Sequence, residues 1–255
     1  MDHDRDSLQS LDAYATRLFR IAGGVSLGQA RDFYFKPMDM ARAEVEARGQ
    51  RFVSFANYDY LGLARHPEVE KAAIDAIHEF GSGSLASRVA GGERSIHAQL
   101  ERDLAAYVGK PAAMVLVSGY LTNETLISNL FSGRDLILYD EYAHASILAG
   151  LKGTRAKSIA FPHNDLDRLD ALLKEHRAEH ANCAIVVEGL YSMDGDIPDL
   201  PRILDIKDRH GAWLMIDEAH SYGVLGATGR GICEHAGVDP ACVELLIGTL
   251  SKTFV

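Results

Sequence analysis

Lys252 closes the run Gly248-Thr249-Leu250-Ser251-Lys252, directly after the apolar stretch Leu245-Leu246-Ile247. A lysine there follows a buried-type strand and is flanked by small hydroxyl residues. Its ammonium therefore belongs where an α/β sheet ends and a ligand pocket begins. A second signal of the same kind precedes it, because Trp213-Leu214-Met215-Ile216 runs into Asp217-Glu218-Ala219-His220. A lysine, an aspartate and a histidine at strand ends suit Schiff-base chemistry on pyridoxal phosphate, PLP. Taken alone, a lysine near a chain end reads first as a solvated surface residue. The rest of the sequence changes that reading.

PLP chemistry sets out the other groups to look for. The pyridine nitrogen needs a carboxylate so that the ring acts as an electron sink, and Asp217 suits that role. Asp217 reads equally well as the N-cap of a helix. The phosphate needs backbone N–H groups at a helix start, with small residues allowing close approach. Ser118-Gly119-Tyr120 precedes a helical stretch from Thr122 and could supply them, or could be a plain strand-to-helix turn. An imidazole over the ring face could come from His144, which on its own reads as a surface loop histidine.

These residues depend on the elements that carry them. Apolar alternation and periodicity predict strands at Ala113–Val117, Leu136–Tyr139, Ser158–Phe161, Cys183–Val187, Trp213–Ile216 and Leu245–Ile247. Helices are predicted at Pro67–Phe80, Ser95–Val108, Thr122–Leu130, Ala145–Leu151, Leu166–His180 and Leu200–His210. Strands alternating with helices imply an α/β fold with a mostly parallel sheet covered on both faces. The strand ends then carry Ser118-Gly119-Tyr120, Asp140 with His144, His163-Asn164, Glu188 with Ser192, Asp217 with His220, and Thr249 with Lys252. Such a gathering on one rim points to a cofactor site. Upstream, Leu8–Ile21 suits an amphipathic helix before a break at Gly23-Gly24. Met38–Arg48 suits a short helix or a strand leading to a turn at Gly49-Gln50, and Arg51–Phe55 suits a strand. Gly81-Ser82-Gly83-Ser84 reads as a loop.

Composition narrows the class. With 255 residues, 47% of them apolar and 24% charged, the chain suits a globular protein of one large or two small domains. A net charge of −10 without a basic stripe argues against a nucleic-acid partner. Cys183, Cys233 and Cys242 show no paired metal-ligand spacing and fit reduced thiols. The start Met1-Asp2-His3-Asp4-Arg5-Asp6 is no secretory signal, and no apolar run is long enough to span a bilayer, so a cytoplasmic protein is expected. Competing motifs fail on context. Asp217-Glu218-Ala219-His220 spells a helicase box but lacks its phosphate loop. Gly81-x-Gly83-x-x-Ala86 follows a helix rather than a strand, and no G-x-S-x-G elbow is present.

The chain resembles the α-oxoamine synthases, a family of fold-type I PLP-dependent enzymes. The matching stretches cover most of it. They are Tyr58-Asp59-Tyr60-Leu61-Gly62-Leu63, Phe80-Gly81-Ser82-Gly83, Gly92 with His97 and Leu100-Glu101, and Ser118-Gly119-Tyr120 with Asn123. Further on come His144-Ala145-Ser146, His163-Asn164-Asp165, Glu188 to Asp196, Asp217 to Ser221, Gly229-Arg230-Gly231 and Gly248 to Lys252.

The resemblance implies an aspartate aminotransferase-like large domain over 63–255, preceded by an N-terminal segment over 1–62. It also implies a decarboxylative condensation of an α-amino acid with an acyl-CoA. An aminotransferase and an inactive truncated subunit remain as alternatives. By position, Lys252 matches the Schiff-base lysine, Asp217 the pyridinium partner and His144 the residue stacked on the ring. Ser192 and His220 match residues near the ring hydroxyl, and Gly119, Tyr120 and Thr249 match the phosphate contacts. Members continue well past the lysine and supply a C-terminal domain with a carboxylate-binding arginine. The 255 residues alone are therefore expected to be inactive, and the complete protein to be a homodimer. Tyr58-Asp59-Tyr60 departs from the Asn-Asp-Tyr of several members toward the Tyr-Asn-Tyr of serine palmitoyltransferases, which implies a longer acyl chain.

Overall fold

A computed structural model of the chain describes residues 39–41, 44–47 and 49–254. The helix expected at Leu8–Ile21 and the break at Gly23-Gly24 lie outside them. The chain divides into two compact units, 1–56 and 57–255.

In the first unit, three short strands form an antiparallel meander: β1 (Asp39–Ala41), β2 (Glu44–Ala47) and β3 (Gln50–Val53). The segment that suited either a helix or a strand thus contains strands. Gly49, at φ 71°, supplies the left-handed residue that a tight β2–β3 turn favours.

The second unit opens with two helices, α1 (Pro67–Phe80) and α2 (Ser95–Val108), both as predicted. Proline at the first turn starts α1, and Gly109 at φ 69° ends α2. Five parallel strands follow: β4 (Leu136–Asp140), β5 (Lys157–Phe161), β6 (Cys183–Glu188), β7 (Trp213–Asp217) and β8 (Leu245–Ile247). Their order is β5-β4-β6-β7-β8. The crossover from β5 to β6 passes over β4, so β4 and β6 flank the point where the winding direction reverses.

Successive side chains of a strand point to opposite faces, and this alternation builds two cores. One face carries Leu136, Leu138, Ile185, Val187, Leu214 and Ile216. It packs against α5 (Leu166–His176), α6 (Leu200–His210) and α7 (Ile232–Ala236). The other face carries Ile137, Ala184, Val186, Met215 and Ile247. It packs against Ile127 of α3 (Gly119–Leu130) and Ile147 of α4 (Ala145–Gly153). Covering both faces is what a parallel sheet requires, and every residue of β6 is buried.

Three expectations need correction. Ala113–Val117 is not a strand. A ladder needs a neighbour, and among the described residues none pairs with this run. Side chains serve its backbone instead: Val115 N–H donates to Glu101 Oε1 at 2.8 Å, and Arg88 Nη1 donates to the Val115 carbonyl at 2.9 Å. Helix α3 begins at Gly119 rather than Thr122, because the Ser118 hydroxyl caps it by accepting from Leu121 N–H at 3.2 Å. Helix α5 ends at His176 and passes into a 3₁₀ turn, Arg177–Glu179, short of the expected His180. Among the described residues, no helix is long and apolar enough to cross a membrane.

Candidate active site

Alternation along the strands also decides which polar ends meet. Asp217 follows Met215 on β7, and Glu188 follows Val186 on β6, so both face α3 and α4. The two are neighbours in the sheet register. Asp140 follows Leu138 and belongs to the opposite face.

Asp217 is buried, and its carboxylate is fixed at both oxygens. Oδ2 accepts from Asn123 Nδ2 at 2.6 Å, and Oδ1 accepts from Ala219 N–H at 2.9 Å. No helix follows Asp217, so the N-cap alternative falls; the Ala219 bond is an Asx turn. A carboxylate has about four acceptor sites, which leaves room for a further donor. Asn123 stands one turn into α3 and also donates to Ser146 Oγ at 3.0 Å. Its Oδ1 is buried without a partner among the described residues. Ser146 Oγ lies 2.7 Å from His144 Nδ1, and His144 N–H donates to Glu188 Oε1 at 2.7 Å. Asp217, Asn123, Ser146, His144 and Glu188 thus form one connected chain of bonds. The Tyr120 ring meets the His144 ring edge-on, with centroids 6.3 Å apart.

Burial, and then the neighbouring Asp217, push the Glu188 carboxyl up to about 8. At neutral pH it holds a proton and Asp217 does not face a second full charge.

Lys252 is half-buried. Its Nζ is 2.8 Å from His220 Nε2 and 5.4 Å from the centre of the Tyr58 ring. On its other side, His220 Nδ1 meets the Tyr60 hydroxyl at 2.7 Å. Burial, then the Lys252 and His144 charges, lower His220 to about 4, so its ring is neutral at physiological pH. Burial likewise lowers the Lys252 ammonium below its ordinary value, partly offset by attraction to Asp217 and Glu188. These are the conditions under which a lysine becomes a nucleophile.

The start of α3 packs against Thr249. A Cβ on Gly119 would sit 3.2 Å from Thr249 Cβ and 3.3 Å from its Oγ1, so glycine allows the helix start to approach Thr249. The first N–H groups of a helix lack intrahelical acceptors and favour an anion. Beside them Thr249 Oγ1 lies 2.8 Å from Ser251 Oγ.

The structure therefore joins Asp217 with His144, Lys252 with His220, and Gly119 with Thr249, while Tyr120 joins through its ring. Ser192 is exposed and has no hydrogen-bond partner among the described residues, so its side chain makes no direct bond to the others. Asp140 and His163-Asn164 gather elsewhere, as the opposite face requires. Ser146, Tyr58 and Tyr60 were not singled out as site residues by type. Asn123 carried a positional signal, standing one helical turn after Gly119 on the same side of α3. Glu188 carried another, as the last buried residue of β6 on the Asp217 face.

The chain is similar to known proteins in sequence and fold. The pattern of the family described as "Aminotransferase class I and II" matches residues 50–255. A putative 8-amino-7-oxononanoate synthase from Cyanothece sp. is 44% identical over 211 residues, covering 82% of this chain and 52% of that protein. The solved serine palmitoyltransferase of Sphingomonas wittichii superposes with a TM-score of 0.85 at 36% identity, covering 97% of this chain and 61% of the other. A lysine-to-alanine variant of that of S. paucimobilis, solved with a bound PLP–myriocin aldimine, gives 0.83 at 31% identity, covering 95% and 60%. The chain spans about half the length of the curated relatives it matches. On the family pattern and these relatives together, the chain belongs to the aminotransferase class I and II family, in its α-oxoamine synthase branch.

Proposed function

We propose that the whole protein condenses an α-amino acid with an acyl-CoA, releasing CO₂ and free CoA and leaving an α-oxoamine, with PLP held on Lys252. The observation that carries this reading is the contact between the Lys252 amine and the neutral His220 ring, beside the buried Asp217. The residues fit the cofactor: an amine of lowered pKa, a carboxylate with acceptor capacity to spare, and a helix start that a Cβ at Gly119 would crowd. When bound, PLP supplies the electron sink that stabilises a carbanion at the amino-acid α-carbon.

The chain's own residues do the rest. Lys252 Nζ must shed a proton to react with a carbonyl. His220 Nε2 can take it at 2.8 Å while Nδ1 passes its own proton to the Tyr60 oxygen at 2.7 Å. In exchange the Tyr60 hydroxyl gives its own proton to water, for which its residue is 39% exposed. Asp217 offers a negative charge for the pyridine nitrogen, and Asn123 holds it in place. His144, fixed by Ser146 and Glu188, would offer its ring to a flat cofactor. By the resemblance, Gly119, Tyr120 and Thr249 would hold the phosphate, and Ser192 and His220 would serve the ring hydroxyl.

From the resemblance we further propose that the whole protein is a cytoplasmic homodimer and that the 255 residues alone turn over little. The test gives the whole protein an amino acid with an acyl-CoA, and separately an amino acid with a keto acid. CoA release coupled to CO₂ is expected. Efficient amino transfer without CoA release would favour the aminotransferase reading instead.

A further inference from the structure

The second gathering of strand-end residues lies on the opposite face of the sheet and takes no part in the chemistry above. Its centre is His163, whose side chain is only 16% exposed. Both ring nitrogens meet carboxylates: Nδ1 is 2.8 Å from Asp140 Oδ1, and Nε2 is 2.8 Å from Asp196 Oδ2. A neutral imidazole has one N–H and can satisfy only one of them; an imidazolium satisfies both. The Tyr142 ring stacks on the imidazole at 4.3 Å and 14°, and Tyr191 meets it edge-on at 4.5 Å. An aromatic face favours a cation over it.

The two carboxylates belong to different turns. Asp140 accepts from Tyr142 N–H at 2.9 Å, and its carbonyl accepts from Ala143 N–H at 2.9 Å, so it shapes the turn that delivers His144. Asp196 closes the turn that contains Ser192: its carbonyl accepts from Tyr191 N–H at 3.0 Å, and Gly195 N–H donates to the Tyr191 carbonyl at 2.9 Å. Asn164, held at φ 56°, adds a bond from its N–H to Asp140 Oδ2 at 3.0 Å and one from Nδ2 to Asp196 Oδ2 at 2.9 Å. Glu141 accepts from His163 N–H at 3.0 Å.

We propose that His163 is a positioning residue whose imidazolium ties the Ser192 turn to the His144 turn, and that loss of its proton frees the Ser192 turn. The buried Asp140 keeps the remaining N–H at Nδ1. Nε2 then presents a lone pair to Asp196, and Asn164 Nδ2, already 3.2 Å from Nε2, can turn toward it. Asp196, whose side chain is 43% exposed, loses donors and is left to solvent. Burial alone would lower the pKa of His163, but the bonds to Asp140 and Asp196 outweigh it and raise it, so the tie persists to higher pH than an ordinary imidazole would keep its proton. The consequence for a cofactor rests on the function proposed above; the tie itself does not.

The experiment therefore uses the full chain without cofactor. Ring nitrogen NMR follows the protonation of His163, and hydrogen exchange reports protection factors for residues 191–196 against pH. The ring should lose its second proton only above the ordinary imidazole value of 6.5. Protection of 191–196 should fall by about fivefold, the worth of one ordinary hydrogen bond, as His163 titrates, while β4 and β6 stay protected. In His163→Gln the same segment should exchange fast at every pH, without the inflection. Loss of the second ring proton at or below 6.5, a titration that leaves 191–196 unchanged, or an inflection that survives in His163→Gln would overturn the proposal. The ring spectrum and exchange profile of the unsubstituted protein decide the matter even if the variant folds poorly.

Discussion

Replacing Glu188 by glutamine tests the electrostatics of the site through stability alone. Glutamine keeps an oxygen where His144 N–H donates at 2.7 Å and removes only the ionisable proton. In the folded protein the Glu188 carboxyl is pushed from 4.5 to about 8, first by burial and then by Asp217. Its raised value means that folding retains a proton the unfolded chain releases above about 4.5. This contribution to stability is complete below that pH and is lost as pH rises through about 8. At ~1.4 kcal/mol per unit the full span is worth about 5 kcal/mol. Glu188→Gln should therefore match the unsubstituted protein near pH 4.5 and exceed it increasingly up to about pH 9. With a urea slope of about 2–3 kcal/mol per molar, the midpoints should separate by about 2 M at the alkaline end. Trp213 is the single tryptophan, lies 6.2 Å from Phe131 at the start of β7, and gives the fluorescence signal. Parallel pH dependences for the two proteins would show that Glu188 is ionised at neutral pH, and the reasoning about its burial would fail.

Other consequences are as direct. In the whole protein Asp217→Asn should cut turnover on the order of 10³-fold, or ~4 kcal/mol of transition-state stabilisation, and a near-normal rate would contradict its role. An amine reagent followed by peptide mapping should modify Lys252 at lower pH than the exposed Lys152 and Lys174, because burial lowers the Lys252 ammonium; identical profiles would refute that. Tyr60→Phe removes the hydroxyl that meets His220 Nδ1 and should slow turnover by about tenfold while the protein unfolds at an unchanged urea concentration. An unchanged rate would remove Tyr60 from the proton route.

The helices that carry their own boundaries were legible from local pattern. Pro67 opens α1, and Leu200–His210 shows an apolar stripe of Leu200, Ile203 and Ile206 that the structure buries. Ala113–Val117 misled because a strand is a pairing, and pairing is not a local property. The rim of strand ends was legible as one list but is two places. Strand alternation sends Glu188 and Asp217 toward α3 and α4, and Asp140 to the other side, where His163 and Asp196 join it. That parity is present in the sequence and becomes decisive once the strand ends are fixed to the residue. Ser146 had no such signal, since an uncharged polar residue matters here only through what it touches, His144 and Asn123.

The central claim is that Lys252 is the lysine that takes the cofactor. The protein is incubated with PLP, reduced with borohydride and digested, and the pyridoxyl group is located by mass spectrometry. The account predicts a visible absorbance band before reduction and the label on Lys252. A label on any other lysine, or none on Lys252 in a folded protein, would contradict it.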